Sequence, residues 1–343
     1  MRGSFSDCAG RRPPAVSILN LTFIDAFTHS AIYGRNRAEC HRFVLLFASV
    51  NTMLATRPQM REIRESDLDG IGDLLTRGFV HRSRKYWMRG LRRQTERELP
   101  PDVPRYGYVM EHRGVPVGCL LLIYLTKNIG GEMTAACNVS SWYVDPSFRS
   151  YAALFAAMAQ KRKDVTYFNI TPAATTWPIL EAQGYIRYCS GQYYSLPFLS
   201  QPSARVLVET VTPDTTEVAG IADVDFEMLR RHAQYGNLSL VCRSAHAALP
   251  FIFFPLRKRR GILPMPAMQL AYCPSIADYV ACASALGRYL LPRGKPVVIL
   301  DANGPIAGLP GFYSEARGHK YFRGPHRPRL GDLADTEIAI YGM

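Results

Sequence analysis

The chain has 343 residues, 48% of them hydrophobic, and a formal net charge of +13. That length predicts two domains, and the apolar fraction is enough for packed cores, which excludes a disordered chain. The eight cysteines are scattered, with no Cys-x-x-Cys and no tight His/Cys cluster. This pattern argues against a disulfide scaffold or a zinc framework, predicts no metal, and suits a reducing, cytoplasmic compartment. A basic chain favours acidic partners such as phosphorylated cofactors, nucleic acid or anionic lipid, although solvated surface charge is the commoner meaning.

Residues 1–55 differ in character from the rest. They carry SFSDCAGRRPPAVSILN and HRFVLLFASVNT without a sustained period, and are expected to be a poorly structured extension. Their longest apolar run, 43–50, is too short to cross a bilayer, and no secretory leader is recognisable. A translation start at Met53 or Met60 is expected. The first domain is placed at 56–200 and opens with a short strand over 61–64. Ser66 and Asp67 cap a helix whose Leu68, Ile71, Leu74 and Leu75 share a face. From His81 a second helix puts Tyr86, Trp87 and Leu91 on one side and Arg89, Arg92 and Arg93 on another. Such basic and aromatic mixing admits nucleic-acid contact, but a solvated amphipathic helix is the commoner case. Residues 106–112 and 115–126 form a hairpin around Arg113-Gly114, with Glu111 on its first strand. The second strand, VPVGCLLLIYL, is apolar enough to be central and covered on both faces.

The stretch 137–185 organises the first domain. Residues 138–144 read as a strand, ended by Asp145-Pro146-Ser147 because proline lacks a ladder donor. A helix follows over 151–163, with Phe155, Met158, Ala159 and Arg162 at helical spacing. Then come a strand at 166–170, a break at Pro172, a helix with Pro178 near its start, and a left-handed cap at Gly184. A strand that feeds a helix N-terminus is an anion site in waiting. Val144, Pro146 and Arg149, with the later Glu181-Ala182-Gln183-Gly184-Tyr185, resemble the central motif of the GNAT superfamily of acyl-CoA N-acyltransferases. The turn departs from that pattern at Ala152 and Leu154, where the family has glycine and a small residue. Leu180 stands where the family often has a helical tyrosine. The resemblance implies an α/β (α+β, mixed-sheet) GNAT-like fold with acetyl-CoA or another acyl-CoA as co-substrate.

Residues 187–196 give the last strands of this half, and LSQPSARVLVETVTPDTTE reads as a linker. The second half, 201–343, repeats the order weakly. A hairpin spans 239–243 and 247–256, and the strand in GILPMPAMQLAYCPS places Pro274 where the first half has Pro146. A helix from Ser275 carries Ile276, Tyr279, Val280, Ala283 and Leu290 on one face. A buried strand covers 296–301, residues 315–319 echo 181–185, and 335–341 form a closing strand. The expectation is two tandem GNAT-like units, the second degenerate. Its Asp278 would repel a pyrophosphate. Residues 257–260 form a basic hairpin tip.

Amide formation from a thioester needs donors at the carbonyl oxygen, a proton acceptor for the amine, and help for the thiolate. The resemblance implies that the acyl-CoA lies against Trp142, Tyr143 and Val144 and over Arg149, Ser150, Tyr151, Ala152 and Ala153. It also implies that His81, Arg84, Tyr86 and Trp87 line the acceptor pocket. Glu111 is the candidate base. Tyr188 and Tyr194, out of a downstream group with Tyr185 and Tyr193, are candidate acids. Gly-x-Ser-x-Gly, Gly-x-x-x-x-Gly-Lys and His-Glu-x-x-His are absent. The expected function is acyl transfer, acetyl foremost, from acyl-CoA to a small-molecule amine. Ala152 and the apolar strand at 119–125 also admit longer acyl groups. The alternatives are a silent GNAT-like binding module, favoured by Ala152 and Leu180, and an aminoacyl or lipid-linked transferase that binds RNA.

Overall fold

Two sheets follow from two kinds of strand pattern, continuous apolar runs at the centres and mixed runs at the edges. They are seen in a computed structural model that describes residues 57–129, 131–202, 206–260 and 263–342. The extension 1–55, the expected start sites other than Met60, and the side chains of the basic tip at 257–260 lie outside the described residues. The first half runs β1 (Gln59–Glu62), α1 (Leu68–Gly78), α2 (Arg84–Thr95), β2 (Gly107–His112), β3 (Val115–Ile129), β4 (Glu132–Val144), α3 (Ala152–Ala159), β5 (Thr166–Asn169), α4 (Trp177–Ala182), β6 (Ile186–Cys189) and β7 (Gly191–Ser195). The second runs β8 (Leu207–Val211), α5 (Asp223–Gln234), β9 (Leu238–Arg243), β10 (Ala248–Arg260), β11 (Leu263–Tyr272), α6 (Ile276–Leu290), β12 (Val297–Ala302), β13 (Gly311–Ser314), β14 (Lys320–Arg323) and α7 (Glu337–Tyr341).

The strand orders are β1-β2-β3-β4-β5-β14-β6 and β13-β7-β12-β11-β10-β9-β8. Read from β1 and from β8, the two sheets share one order, with β14 in the first where β7 stands in the second. Each half therefore lends one strand to the other. The expected run at 187–196 is split at Ser190: β6 stays in the first sheet and β7 crosses to the second. The mixed α/β class and the hairpins match expectation, and Pro58–Met343 pack as one unit.

β3 is covered on both sides, as its composition predicts. Cys119, Leu121 and Ile123 meet α1, α2 and α7. Leu120, Leu122 and Tyr124 meet α3 and α4. In the second sheet, Leu240, Phe251 and Phe253 pack on α6. The opposite face, with Val241, Ile252 and Phe254, packs on α5 and on Leu125, Phe168, Tyr188 and Phe322 of the first sheet. That shared core is the seam. A buried ion pair crosses it: Lys320 Nζ of β14 lies 3.0 Å from Asp301 Oδ1 of β12, with side chains 4% and 2% exposed.

Three expectations are corrected. The supposed linker contains β8, whose Leu207–Val211 pairs antiparallel with β9. Residues 315–319 form no helix but the turn that leads β14 to the other sheet. Residues 335–341 form no strand: α7 is a short helix whose Ile338, Ala339, Ile340 and Tyr341 are all buried. Burial on every side erases the period that separates helix from strand over so few residues. The helix expected over 151–163 is shorter, Ala152–Ala159, and is preceded by a 3₁₀ segment, Pro146–Tyr151.

Candidate active site

β4 and β5 run parallel and pair only over Ala136–Thr166, Cys137–Tyr167 and Asn138–Phe168 before they part. Just beyond, β4 is bulged. Leu122 faces Val139 and Leu120 faces Trp142, so Ser140 and Ser141 together oppose Leu121. A bulge bends its strand and re-aims the groups beside it. From Ser140 to Val144, β3 is the sole strand partner of β4 among the described residues. The result is a wedge with a free backbone edge.

The wedge does not stand empty at its apex. Glu337, the first residue of α7, donates its N–H to Asn138 Oδ1 at 2.7 Å. Its carboxylate accepts from Ser140 Oγ on β4 at 2.6 Å and from Thr171 Oγ1, just past β5, at 2.5 Å. Asn138 is itself fully buried and donates to the carbonyls of Val139 and Phe168. Burial pushes the Glu337 carboxyl up, against the pull of the two hydroxyls and of Lys320. No local signal marked Glu337; its polar partners Asn138, Ser140 and Thr171 come from the middle of the chain.

The turn after β4 differs from the open loop that the resemblance implies. It is wound as 3₁₀, with Phe148 N–H bonded to the Asp145 carbonyl and Ala152 N–H to that of Arg149. An alanine with φ −60° at the place of the family's glycine suits a continuous helix and not an open turn. Backbone donors expected for a pyrophosphate are thereby used internally at two positions. Arg149 and Ser150 are exposed, and Arg149 makes no ion pair among the described residues. Tyr151 and Ala152 are half-buried and Ala153 is exposed. Arg77 of α1 fixes the turn through Asp145 at 2.9 Å.

Trp142 and Tyr143 face opposite ways, as neighbours on a strand must. Trp142 joins Phe148 and Tyr151 on the α3 side. Tyr143 joins Phe79, Tyr86 and Trp87 on the α1–α2 side. There Trp87 lies 5.3 Å from Phe79 and 5.8 Å from Tyr341, ring to ring. Tyr86 OH donates to the Gly342 carbonyl at 3.1 Å. Two of the expected acceptor residues, Tyr86 and Trp87, thus share a patch with Tyr143 and the end of α7. Gly90 permits this approach, because a Cβ there would fall 1.9 Å from Tyr341 Cδ1. Arg84 instead clamps α2 to α1 through Asp73 at 2.6 Å and Asp69 at 2.5 Å, and His81 is an exposed turn residue.

The three catalytic candidates are not brought to the wedge. Glu111 is held by Arg61 at 2.6 Å, which also grips Asp67 at 2.6 Å. That grip ties the Glu111 side chain to Arg61 of β1 and not to the free edge of β4. Tyr188 is packed in the seam against Phe322, with its hydroxyl pushed well up by burial. Tyr194 belongs to the second sheet, stacked 5.0 Å from Phe312.

The second sheet has a matching wedge. β11 and β12 pair over Ala267–Val297, Met268–Val298 and Gln269–Ile299, and β11 is bulged at Ala271. Gln269 holds the place of Asn138. Here the chain covers the free edge itself. Cys273 N–H bonds to the Gly331 carbonyl at 3.0 Å, and Leu333 N–H to that of Ala271 at 2.6 Å. The following helix is capped from within: Ser275 Oγ accepts from Asp278 N–H and donates to the Asp278 carboxylate at 2.6 Å. Two cavities lie elsewhere, one of about 130 Å³ beside Arg89, Arg93 and Tyr235, the other of about 640 Å³ beside Leu199, Val280 and Pro310.

No group of three His, Cys, Asp or Glu residues is placed to hold a metal among the described residues, and no helix there is long and apolar enough to cross a membrane. No protein-family model matches the sequence, and no curated protein matches it. Solved structures do resemble it. A GCN5-related N-acetyltransferase from Anabaena variabilis aligns at 13% identity and TM-score 0.53, covering 78% of this chain and 72% of that one. One from Kribbella flavida aligns at 13% identity and TM-score 0.50, covering 79% and 72%. Identities this low speak to architecture alone, and on that evidence the chain has the fold of the GCN5-related N-acetyltransferases.

Proposed function

We propose that the chain is an acyltransferase that binds acyl-CoA along the free edge of β4 and passes the acyl group to the amine of a small molecule. The observation that carries this reading is the contrast between the two wedges. On β11 the edge is covered by the extended backbone of Gly331 and Leu333; on β4 no backbone among the described residues pairs with it. Pantetheine carries two amides in an extended chain, so it can add to such an edge as a strand does. Exposed Arg149 supplies the charge for the pyrophosphate, and the re-aimed backbone at 140–144 supplies donors for the thioester oxygen.

In this reading the amine enters from the patch of Phe79, Tyr86, Trp87 and Tyr143. Its nitrogen attacks the thioester carbon directly. The proton it sheds passes to Ser140 Oγ as the Ser140 proton moves to Glu337, a carboxylate whose raised proton affinity suits the task. The C–S bond breaks and the electron pair leaves on sulfur, a thiol with an ordinary pKa of about 8.5. The units at 56–200 and 201–343 are read as tandem copies that exchange β7 and β14, with the second kept for support. Six cysteines among the described residues are buried and free, which fits a reducing, cytoplasmic setting.

The second reading is a silent binding module, favoured by the 3₁₀ winding at Pro146–Tyr151. Calorimetric titration of the full chain with acetyl-CoA, beside Arg149→Glu, tests the first reading. Saturable binding that the variant weakens by about tenfold or more is expected. A folded protein that binds no acyl-CoA sinks the enzyme.

A further inference from the structure

The apex of the β4–β5 wedge is closed by one side chain, and that closure has a chemical character. Glu337 is stitched to both walls, to Ser140 on β4 and to Thr171 past β5, while its N–H is held by Asn138. Ile338 is buried behind it. All three tethers are polar. The segment that delivers Glu337 is pinned in turn. Asp335 takes a left-handed backbone, φ 59°, and is gripped by Arg231 at 2.8 Å and by His232, which accepts its N–H at 3.2 Å. Within the helix, Arg93 donates to the carbonyls of Ala339 and Ile340 and Arg89 to that of Tyr341.

A thioester lying on the β4 edge points its acyl group along the wedge toward this carboxylate. An acetyl group is short and ends in one methyl. On this placement a longer alkyl chain runs into Glu337, which bridges the two strands. To pass, it must either lie against a half-buried carboxyl group or pull that group off both strands and leave two hydroxyls and an acid without partners. Both are unfavourable, because buried polar groups that lose their hydrogen bonds keep the full cost of desolvation. The apolar core on either side of β3 does not relieve this, since the obstruction lies between the strands and not on the faces of the sheet.

We propose that Glu337 sets the acyl-chain length, restricting the protein to short acyl thioesters and excluding medium and long alkyl chains. The proposal rests on the reading that the β4 edge binds acyl-CoA. It narrows that reading from acyl groups in general to the acetyl class, and removes the longer chains that Ala152 and β3 admit by composition.

The test is direct binding of acetyl-CoA and octanoyl-CoA to the full chain, wild type and variants, by calorimetry. Wild type is expected to hold acetyl-CoA at least about tenfold more tightly than octanoyl-CoA. Glu337→Ala, which removes the wall, is expected to reverse or abolish that ratio. Glu337→Gln, which keeps the wall, is expected to retain it. Should Glu337→Ala fail to fold, Thr171→Val loosens one tether and is expected to shift the ratio the same way. Equal wild-type affinity for the two thioesters overturns the proposal and leaves the acyl-CoA reading standing. A folded Glu337→Ala with an unchanged ratio does the same. Binding of neither thioester overturns the acyl-CoA reading, and the length limit falls with it.

Discussion

The two wedges of the molecule share a geometry and differ in what lies on them. Each has parallel strands that pair at three positions, an amide side chain at the apex, and a bulge two residues later. On β11 the chain lays its own backbone along the edge and caps the following helix with Asp278. On β4, among the described residues, it blocks the apex with one carboxylate and lays no backbone along the edge. A single segment does both jobs: residues 331–333 cover one wedge, Asp335 is the pinned corner, and Glu337 enters the other. The difference teaches that the wedge of the second sheet has a structural use of its own. It is the place where the segment that furnishes the other wedge is anchored.

The largest effect that can break this contrast is chemical. Glu337→Gln is expected to lower kcat roughly 10²–10⁴-fold, the usual worth of a positioned proton acceptor, with acetyl-CoA affinity retained. Asp278→Asn, at the matching turn of the other half, is expected to leave kcat unchanged. Steady-state kinetics on an amine panel reads both, and equal loss from the two would erase the assignment of chemistry to the first wedge.

Next comes the seam. Asp301→Asn strands Lys320, at 4% side-chain exposure, without a counter-charge, and is expected to cost about 3–5 kcal/mol in urea unfolding. Replacing both, as Lys320→Met with Asp301→Leu, is expected to restore most of that loss. A double variant as unstable as Asp301→Asn would mean that the cost does not come from the unpaired lysine.

The smallest effect is a dependence on pH at the corner. Burial alone would raise the Asp335 carboxyl, but the hydrogen bond with His232 and the guanidinium of Arg231 hold it well below its usual value of 3.8. A depressed folded value means that its contribution is complete above the ordinary aspartate range and is lost as pH falls below about 4. Unfolding at stepped pH is expected to show that loss in wild type and a shallower one in Arg231→Ala.

Much of the first sheet was legible because its signals are local. The Arg113-Gly114 turn, the apolar run of β3 and the Pro146 break each occupy neighbouring residues. The surroundings of the catalytic candidates were hidden for the converse reason. Glu111 reads as a free carboxylate until Arg61, fifty positions earlier, is seen to hold it. Tyr194 reads as a neighbour of Tyr188 although one residue, Ser190, sends the two strands to different sheets. Glu337 was invisible altogether: its partners Ser140 and Thr171 lie 197 and 166 positions away, and its own surroundings, Asp335 to Tyr341, mimic a strand. Proline and hydroxyl residues hid β8, an edge strand whose exposed Leu207 weakens the alternation.

The exchange of β7 and β14 also governs the order in which the chain can fold. β6 has no place in the first sheet until β14 arrives to stand between it and β5, some 130 residues downstream. At a synthesis rate of about 5–20 residues per second, that is a wait of roughly 7–26 s. Throughout it, the edge of β5 and the apolar face of Phe168 stay open to any passing strand. Slower synthesis therefore lengthens the exposure of that edge, and faster completion of β14 shortens it.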